Sequence, residues 1–417
     1  MFSIGKKNTG DEKVVAKNTV MQYILYIAQM VFPLLTLPYV TRILDTESYG
    51  IYTYSGSCLT YISLIINYGF ILSSTRDIVK ANGNKAEISH IHSCVVMAKM
   101  ILMLIAGGVF VGMLFCIEIL REYQLFFFLM FVGVVLNAFL PDYLFRGIEK
   151  MEVITYVFLI CKTTTTALTF VLVREQADYM MLPVLNIISG GVALVISEVF
   201  VRRAGFHTCF VRMKDGLLTI RNGVVYFVSQ SASSAFNAVN TLILGLYFSG
   251  TEIAYWSAAM QLVSVAQGLY GPISTSLYPH MVKTKNISLV KKVMMIFMPC
   301  IIGAAIGCYF LSDVIIGMMY GEQYTPAVWI FELLLLVLVF SFPSVMLGWP
   351  VLGAISKAKE ITNTTVISAI FQLCLLLILG ITDNFTMINV CIVRISTEVV
   401  LLAGRFYFCY KFRKEFS

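Results

Sequence analysis

Charged residues are scarce in this chain, and their scarcity excludes most classes of soluble protein. Asp, Glu, Lys and Arg make up 13% of the 417 residues, 59% are hydrophobic, and the mean hydropathy is +0.84. Soluble domains carry about 25% charged residues. The apolar residues form blocks of about 20, the length at which a helix crosses roughly 30 Å of hydrocarbon. The sequence therefore predicts an all-α polytopic membrane protein and not a β-barrel.

Long polar connections and nucleotide-binding motifs are also missing. The longest connection, residues 202–221, is too short to enclose a core of its own, so a folded enzymatic domain outside the membrane is not expected. The chain contains no phosphate-loop motif, and its ten cysteines form no Cys-x-x-Cys pair. We therefore predict a protein that is not an enzyme, with no metal or other cofactor and no nucleic-acid partner.

The hydrophobic blocks predict about twelve transmembrane helices in two lobes of six. The N-terminal stretch lacks the pattern of a cleaved signal peptide, so the first block is expected to remain as an anchor. The predicted organisation is a cytoplasmic segment 1–17, an N-lobe 18–201, a connector 202–221, a C-lobe 222–409 and a tail 410–417. The predicted spans are 18–41, 49–73, 91–116, 124–145, 153–173, 179–201, 222–248, 253–279, 293–311, 327–349, 361–381 and 386–409.

Successive connections between the predicted spans are alternately rich and poor in lysine and arginine. This pattern predicts the orientation of the chain in the membrane. Nearly all of them fall on the side of the N-terminus, and the opposite ends of the spans hold only Arg42, Arg121 and Arg174. Positively charged connections stay cytoplasmic. Both termini are therefore predicted to be cytoplasmic.

A weak internal repeat relates the two lobes. Residues 18–75 resemble residues 223–280 at an offset of about 205 positions, which is typical of transporters built from parallel repeats. Polar side chains recur at helical spacing in the first and seventh spans, among them Gln29, Gln230 and Asn237. They predict either a water-filled cleft between the lobes or ordinary hydrogen bonds between helices.

Several ionisable residues lie deep in predicted spans. Lys99 and Lys162 fall roughly 12–15 Å from the span ends at 1.5 Å per residue. Arg394 and Glu398 are four residues apart in the last span and are expected to pair. Such charges normally face a bundle interior or a cavity, so we interpret the three cations as a binding surface for an anionic substrate. Glu332 and Glu398 are candidates for coupling to H+ or Na+.

Other polar residues have simpler interpretations. Glu198 is expected to pair with Arg202, and Arg405 to extend toward the membrane interface. His90 and His92 are expected to lie in or near a solvated inner loop, because the third span is predicted to begin at residue 91.

Four segments resemble a known family. They are PLLTLPYVTRILDTESYGIY at 33–52, NYGFILSSTRDIVKA at 67–81, PDYLFRGIEKMEVIT at 141–155, and SGTEIAYWSAAMQL at 249–262 followed by SLYPHMV. In these segments the chain resembles the polysaccharide exporters, the Wzx-type oligosaccharide flippases. That family belongs with multidrug extruders and lipid II flippases in one superfamily, the MOP superfamily.

The resemblance implies a function and two further site residues. It implies a protein of a bacterial inner membrane with two six-helix lobes that form a V. Such a protein moves undecaprenyl-diphosphate-linked oligosaccharide units to the outer leaflet for O-antigen, lipopolysaccharide or capsule synthesis. Arg42 and Arg76 lie in matching motifs and are implied to contact the diphosphate or to gate the cleft. The prolines Pro33 and Pro38, in the first span, are expected to bend the helix beside that cleft. A polymerase and other assembly proteins are implied partners.

Two other functions remain open from the sequence. An ion-coupled multidrug antiporter of the same superfamily would need an acidic cleft, whereas the deep charges here are mainly basic. A membrane-embedded polymerase would need a catalytic outer loop, and the outer connections are short.

Overall fold

A computed structural model describes the backbone of residues 8–416. Their side chains are described except at 8–16, 19, 225, 229–230, 232–240, 275–276, 279–280 and 283. Within these limits the chain is helical and contains no strand. Ten helical segments are long and apolar enough to cross a membrane, and the two remaining predicted spans, 222–248 and 253–279, are helical as well. The all-α membrane fold predicted from the blocks is confirmed.

The first half of the chain forms a helical bundle that includes two short helices, α3 and α7, packed on each other. Helix α1 packs on α8, α8 on α9 and α9 on α6, while the short α3 packs on α4 and α7. The helices are α1 (Asn8–Ile43), α2 (Thr46–Asn67), α3 (Phe70–Lys80), α4 (Lys85–Cys116), α5 (Glu118–Glu122), α6 (Gln124–Ala138), α7 (Asp142–Gly147), α8 (Met151–Leu172) and α9 (Met181–Arg203).

Two local breaks bring α3 and α7 beside α4. Gly69, between α2 and α3, has a φ of 72°, and a Cβ added there would lie 2.8 Å from the Cβ of Tyr226, so glycine is required. Pro141 lacks a backbone donor, and α6 ends three residues before it. The hydroxyl of Thr75 then donates to the carbonyl of Tyr143 at 3.1 Å and joins the two short helices.

Helix α1 continues through both of its prolines. Pro33 and Pro38 lie inside one unbroken helix, and the Thr36 hydroxyl donates to the carbonyl of Phe32 at 3.0 Å. A hydroxyl that bonds to the preceding turn is one way in which a helix accommodates a nearby proline. The bend that the prolines predict stays a prediction.

The second half is organised around α15. This helix packs on α11, α13 and α17, and α17 packs in turn on α16. The helices are α10 (Met213–Leu244), α11 (Gly250–Gly268), α12 (Tyr270–Thr284), α13 (Ile287–Phe310), α14 (Ser312–Tyr320), α15 (Val328–Met346), α16 (Ala358–Ile381) and α17 (Met387–Lys411). A π-helix, Leu347–Leu352, continues α15.

Contacts divide the chain into two compact units. The first unit takes the chain up to Ile43 together with Ser55–Gln230, and the second takes Leu44–Tyr54 together with the chain from Ser231. The crossover segment Leu44–Tyr54 therefore packs with the second unit although the residues on both sides of it pack with the first.

The crossover segment is held in the second unit by aromatic and backbone contacts. The rings of Tyr49 and Tyr324 meet edge to face with centroids 5.9 Å apart, and Tyr54 is fully buried. The Oγ1 atoms of Thr46 and Thr251 lie 3.5 Å apart. These two threonines are separated by 205 positions, the offset of the sequence repeat, so corresponding ends of α2 and α11 meet here.

Candidate functional site

Lys99 is buried in the first unit against the end of another helix. Its side chain on α4 is 2% exposed, and its ammonium donates to the carbonyl of Ala138, the last residue of α6, and at 3.4 Å to that of Leu140. A cation at a helix C-terminus is favourable because the last carbonyls have no partner within the helix. Lys99 thus caps α6.

Tyr143 links Lys99 to a second residue of α4. The Lys99 ammonium lies 5.2 Å from the centroid of the Tyr143 ring, and the Tyr143 hydroxyl lies 2.8 Å from Nδ1 of His92. His92 and Lys99 are seven residues apart and therefore share one face of α4. The expectation that His92 is solvated is wrong, because α4 already begins at Lys85 and buries this turn.

A cavity of about 150 Å³ opens beside Lys99 within the first unit. Its lining combines one cation, one carboxyl group, two amides and apolar side chains. The Lys99 and Asp142 charges interact electrostatically, and Arg146, one turn along α7, also acts on Asp142. The lining residues are Asn67, Phe70, Ile71, Lys99, Asn137, Leu140, Asp142 and Tyr143.

Lys162 lies elsewhere in the same unit. Its side chain, on α8, is half-buried and is not part of the lining of the Lys99 cavity. Among the residues whose side chains are described, no hydrogen bond or ion pair to Lys162 is present. The structure therefore does not bring Lys99 and Lys162 together in one cavity.

Arg394 and Glu398 form a buried ion pair in the second unit. Nη2 of Arg394 lies 2.8 Å from Oε1 of Glu398, and the two side chains are 1% and 3% exposed. Ser368 and Gln372 of α16 and Thr397 of α17 are also fully buried polar residues of this unit. The predicted pairing at a spacing of four is confirmed, and the charge of Arg394 is neutralised by its own helix.

Glu332, the other acidic candidate, is near the start of α15. Its Oε1 accepts a hydrogen bond of 2.6 Å from the hydroxyl of Ser312, which begins α14. The Glu332 side chain is half-buried. Its role in ion coupling stays a prediction.

The two arginines from the matching motifs are exposed. Arg42 lies in the last turn of α1. Arg76 of α3 forms an ion pair of 2.8 Å with Asp77 and donates to the Tyr226 hydroxyl at 2.9 Å. Both guanidinium groups can reach solvent, in contrast to that of Arg394.

The polar stripe is described only in part. Gln29 is exposed on α1. Gln230 and Asn237 lie on α10, but their side chains are outside the described residues. The question of a cleft or of helix contacts stays open for these three.

The hydrogen-bond partners of Arg405, in the second unit, could not be predicted from the sequence. Its Nη1 donates to the carbonyl of Ser344 at 2.7 Å and its Nη2 to the Thr365 hydroxyl at 3.4 Å. The expectation that Arg405 extends to the interface is wrong, because its guanidinium reaches inward to Ser344 and Thr365, beside the point where α15 passes into the π-helix. Pro343 and Pro350 in the sequence were the available signal for that change.

No metal centre was expected, and none of the described His, Cys, Asp and Glu side chains form a group of three or more that could hold a metal ion. The candidate site is the Lys99 cavity, because it combines a cation, a carboxyl group and two amides around one space. The Arg394–Glu398 pair is a second buried polar centre.

Comparison with known proteins places the chain in a family. A model of the polysaccharide biosynthesis protein family matches residues 15–285, which is more than half of the chain. The chain belongs to this family. The resemblance noted in the four sequence segments is thereby confirmed.

Two relatives of this chain are proposed O-antigen transporters. The protein from Shigella dysenteriae is 28% identical over 370 residues, covering 86% of this chain and 91% of the relative. The protein from Escherichia coli (strain K12) is 25% identical over 402 residues, covering 92% and 94%. These relatives are transport proteins, in agreement with the prediction that the chain is not an enzyme.

Solved structures share the fold at low identity. The lipid II flippase MurJ, in an inward closed conformation, matches with a TM-score of 0.72 and 14% identity, covering 95% of this chain and 87% of MurJ. An inward-facing multidrug resistance MATE family transporter matches with a TM-score of 0.66 and 14% identity, covering 95% and 97%. At such identities the likeness establishes the fold alone.

Proposed function

We propose that this protein is a flippase that carries lipid-linked oligosaccharide units from the inner to the outer leaflet of a bacterial cell membrane. The lipid carrier is undecaprenyl diphosphate, and the units serve surface polysaccharide synthesis. The observation that carries the proposal is the match to two proposed O-antigen transporters over 86% and 92% of the chain.

The fold and the chemistry of the helices support this function. The lipid II flippase MurJ has the same fold. Moving sugar hydroxyls through hydrocarbon is costly because each loses its hydrogen bonds with water. Buried polar groups in both units, such as Lys99 and Gln372, are compatible with a polar route through the membrane.

Each deep or motif cation has a proposed role that follows from its surroundings. Arg42 and Arg76 are exposed and Lys162 is half-buried, so a diphosphate can approach their charges, and at Arg76 it would take the place of the Asp77 carboxylate. Lys99 and Arg394 are buried, and they are engaged with carbonyls and with Glu398 respectively. We assign diphosphate contact to the first group and organisation of the helices to the second.

The mechanism proposed is alternating access between the two units, driven by H+ or Na+. Glu332 is the preferred coupling residue, because it accepts a hydrogen bond from the neutral Ser312 hydroxyl, whereas Glu398 faces the Arg394 guanidinium at 2.8 Å. The orientation proposed is with both termini cytoplasmic, since lysine and arginine are concentrated on that side.

A multidrug antiporter is the second candidate, because the MATE family transporter shares the fold with a TM-score of 0.66. The two functions differ in substrate and are separated by a dye-efflux assay. A drug antiporter lowers ethidium accumulation in cells, whereas the proposed flippase leaves it unchanged.

Complementation tests the proposed function in cells. The gene is expressed in a host that carries the matching polysaccharide locus but lacks its flippase. Restored surface polysaccharide is expected, and continued accumulation of lipid-linked units at the cytoplasmic face would contradict the proposal.

A further inference from the structure

The Lys99 cavity is close to neutral, although its most conspicuous residue is a lysine. Lys99 and Asp142 both line it and carry opposite charges that act on each other. The ammonium also donates to the carbonyls of Ala138 and Leu140. A diphosphate would meet the Asp142 carboxylate, so this lining is unsuited to a multiply charged anion.

Hydrogen-bonding capacity remains in the lining after local contacts are counted. The amide nitrogen of Asn67 donates to the Ser63 hydroxyl at 3.1 Å, and that of Asn137 donates to the carbonyl of Gly133 at 2.8 Å. No described residue donates to either amide oxygen. Two amide oxygens and the Asp142 carboxylate therefore remain as acceptors, and Lys99 keeps a third ammonium proton as a donor.

The remaining lining is apolar, and the size suits one ring. Phe70, Ile71 and Leu140 contribute hydrocarbon surface. A cavity of about 150 Å³ is large enough to hold a six-membered ring, as an apolar cavity of that volume holds benzene. Apolar walls with a few converging polar groups are typical of pockets that orient a small ligand.

We propose that this cavity binds one neutral sugar ring of the oligosaccharide while its diphosphate is held elsewhere. The vicinal hydroxyls donate to Asp142, Asn67 and Asn137 and accept from Lys99, and the C–H faces of the ring lie against Phe70 and Leu140. This inference rests on the proposed function and adds a substrate class to one site in the first unit. Asp142 is the principal acceptor, because hydrogen bonds to a charged group are the strongest.

The replacement Asp142→Asn distinguishes a sugar site from an anion site by the sign of its effect. The change keeps the shape of the side chain and removes the negative charge. Sugar binding should weaken by about tenfold or more, because a charge-assisted hydrogen bond is lost. An anion site would respond in the opposite direction, since removal of a repelling carboxylate strengthens anion binding.

Saturation-transfer NMR on the purified full-length protein in detergent measures both ligands. Neutral hexoses and N-acetylhexosamines are offered one at a time, and inorganic diphosphate competes in a separate arm. The wild type should give signals from at least one sugar, Asp142→Asn should lose them, and Asp313→Asn, an exposed change on α14, should keep them. Asn67→Leu provides a second cavity variant with the same expected loss.

Three results would overturn the inference. They are the absence of any sugar signal in the wild type, sugar signals that survive both Asp142→Asn and Asn67→Leu, and diphosphate binding that rises in Asp142→Asn. Transport of a lipid-linked oligosaccharide by the same wild-type preparation is measured in parallel. If the wild type transports and the cavity variants bind and transport normally, the sugar site fails while the flippase function stands; if the wild type does not transport, the function itself fails.

Discussion

The two units bury their cations in different ways. In the first unit Lys99 is neutralised by backbone carbonyls and by a carboxyl group on another helix, and it borders a cavity. In the second unit Arg394 is neutralised at 2.8 Å by Glu398, one turn along the same helix. The first arrangement leaves donors and acceptors facing an open space, whereas the second is a closed pair. A deep charge in a membrane helix is thus not by itself a substrate contact.

The largest expected effect comes from breaking the closed pair. Glu398→Gln leaves the Arg394 charge buried without its carboxylate, which should lower the free energy of unfolding by about 3–5 kcal/mol. Replacement of both residues, Arg394→Met/Glu398→Leu, should recover part of this loss because neither charge of the pair remains, while Arg405 loses its electrostatic attraction to Glu398. Thermal unfolding in detergent measures both. Equal losses in the single and double variants would mean that the pair is not coupled.

A smaller effect on the free energy of unfolding is expected at Lys99, which borders the cavity of the first unit. Lys99→Met removes the donor to Ala138 and Leu140 and should cost about 1–3 kcal/mol of unfolding free energy. Lys99→Arg should keep much of the stability, since a guanidinium also caps a helix end. The same unfolding assay applies, with the exposed Lys291→Met as control. If Lys99→Met were as stable as the wild type, the capping role would be contradicted.

The variant Tyr143→Phe separates the contribution of the Tyr143 hydroxyl from that of its ring. It removes the hydroxyl that bonds to His92 at 2.8 Å but keeps the ring beneath Lys99. A loss of about 1 kcal/mol is expected, smaller than that for Lys99→Met. A larger loss in unfolding measurements would indicate that the hydroxyl, and not the ammonium, organises this centre.

The smallest effect on stability is expected at Glu332, where the effect on coupling is decisive. Glu332→Gln keeps an acceptor for Ser312, so the unfolding free energy should change by less than about 1 kcal/mol. Transport should lose its dependence on an imposed H+ or Na+ gradient. Initial transport rates with and without the gradient provide the measurement, and an unchanged gradient dependence would exclude Glu332 as the coupling residue.

Features set by neighbouring residues in the sequence could be predicted. Helix positions followed from apolar block length, and the pairs Arg394–Glu398 and Glu198–Arg202 followed from a spacing of four. Such features depend on a single helix. The burial of Lys99 likewise followed from its depth in a long apolar block.

Features that join distant segments could not be predicted. The lining of the cavity combines α4 with residues around Gly69 and Pro141, and only the folded chain brings Asp142 beside Lys99. His92 was misplaced because a helix can begin before its apolar block does. Arg405 was misplaced because its partners, the Ser344 carbonyl and the Thr365 hydroxyl, lie on two other helices.

Transport in proteoliposomes tests the flippase function most directly. The purified protein is reconstituted with an undecaprenyl-diphosphate-linked oligosaccharide, and the sugar exposed on the outer surface is followed with an impermeant glycosidase or lectin. The account predicts protein-dependent movement of the lipid-linked sugar and no movement of ethidium. Sugar that moves no faster than in protein-free vesicles, together with ethidium transport, would contradict it.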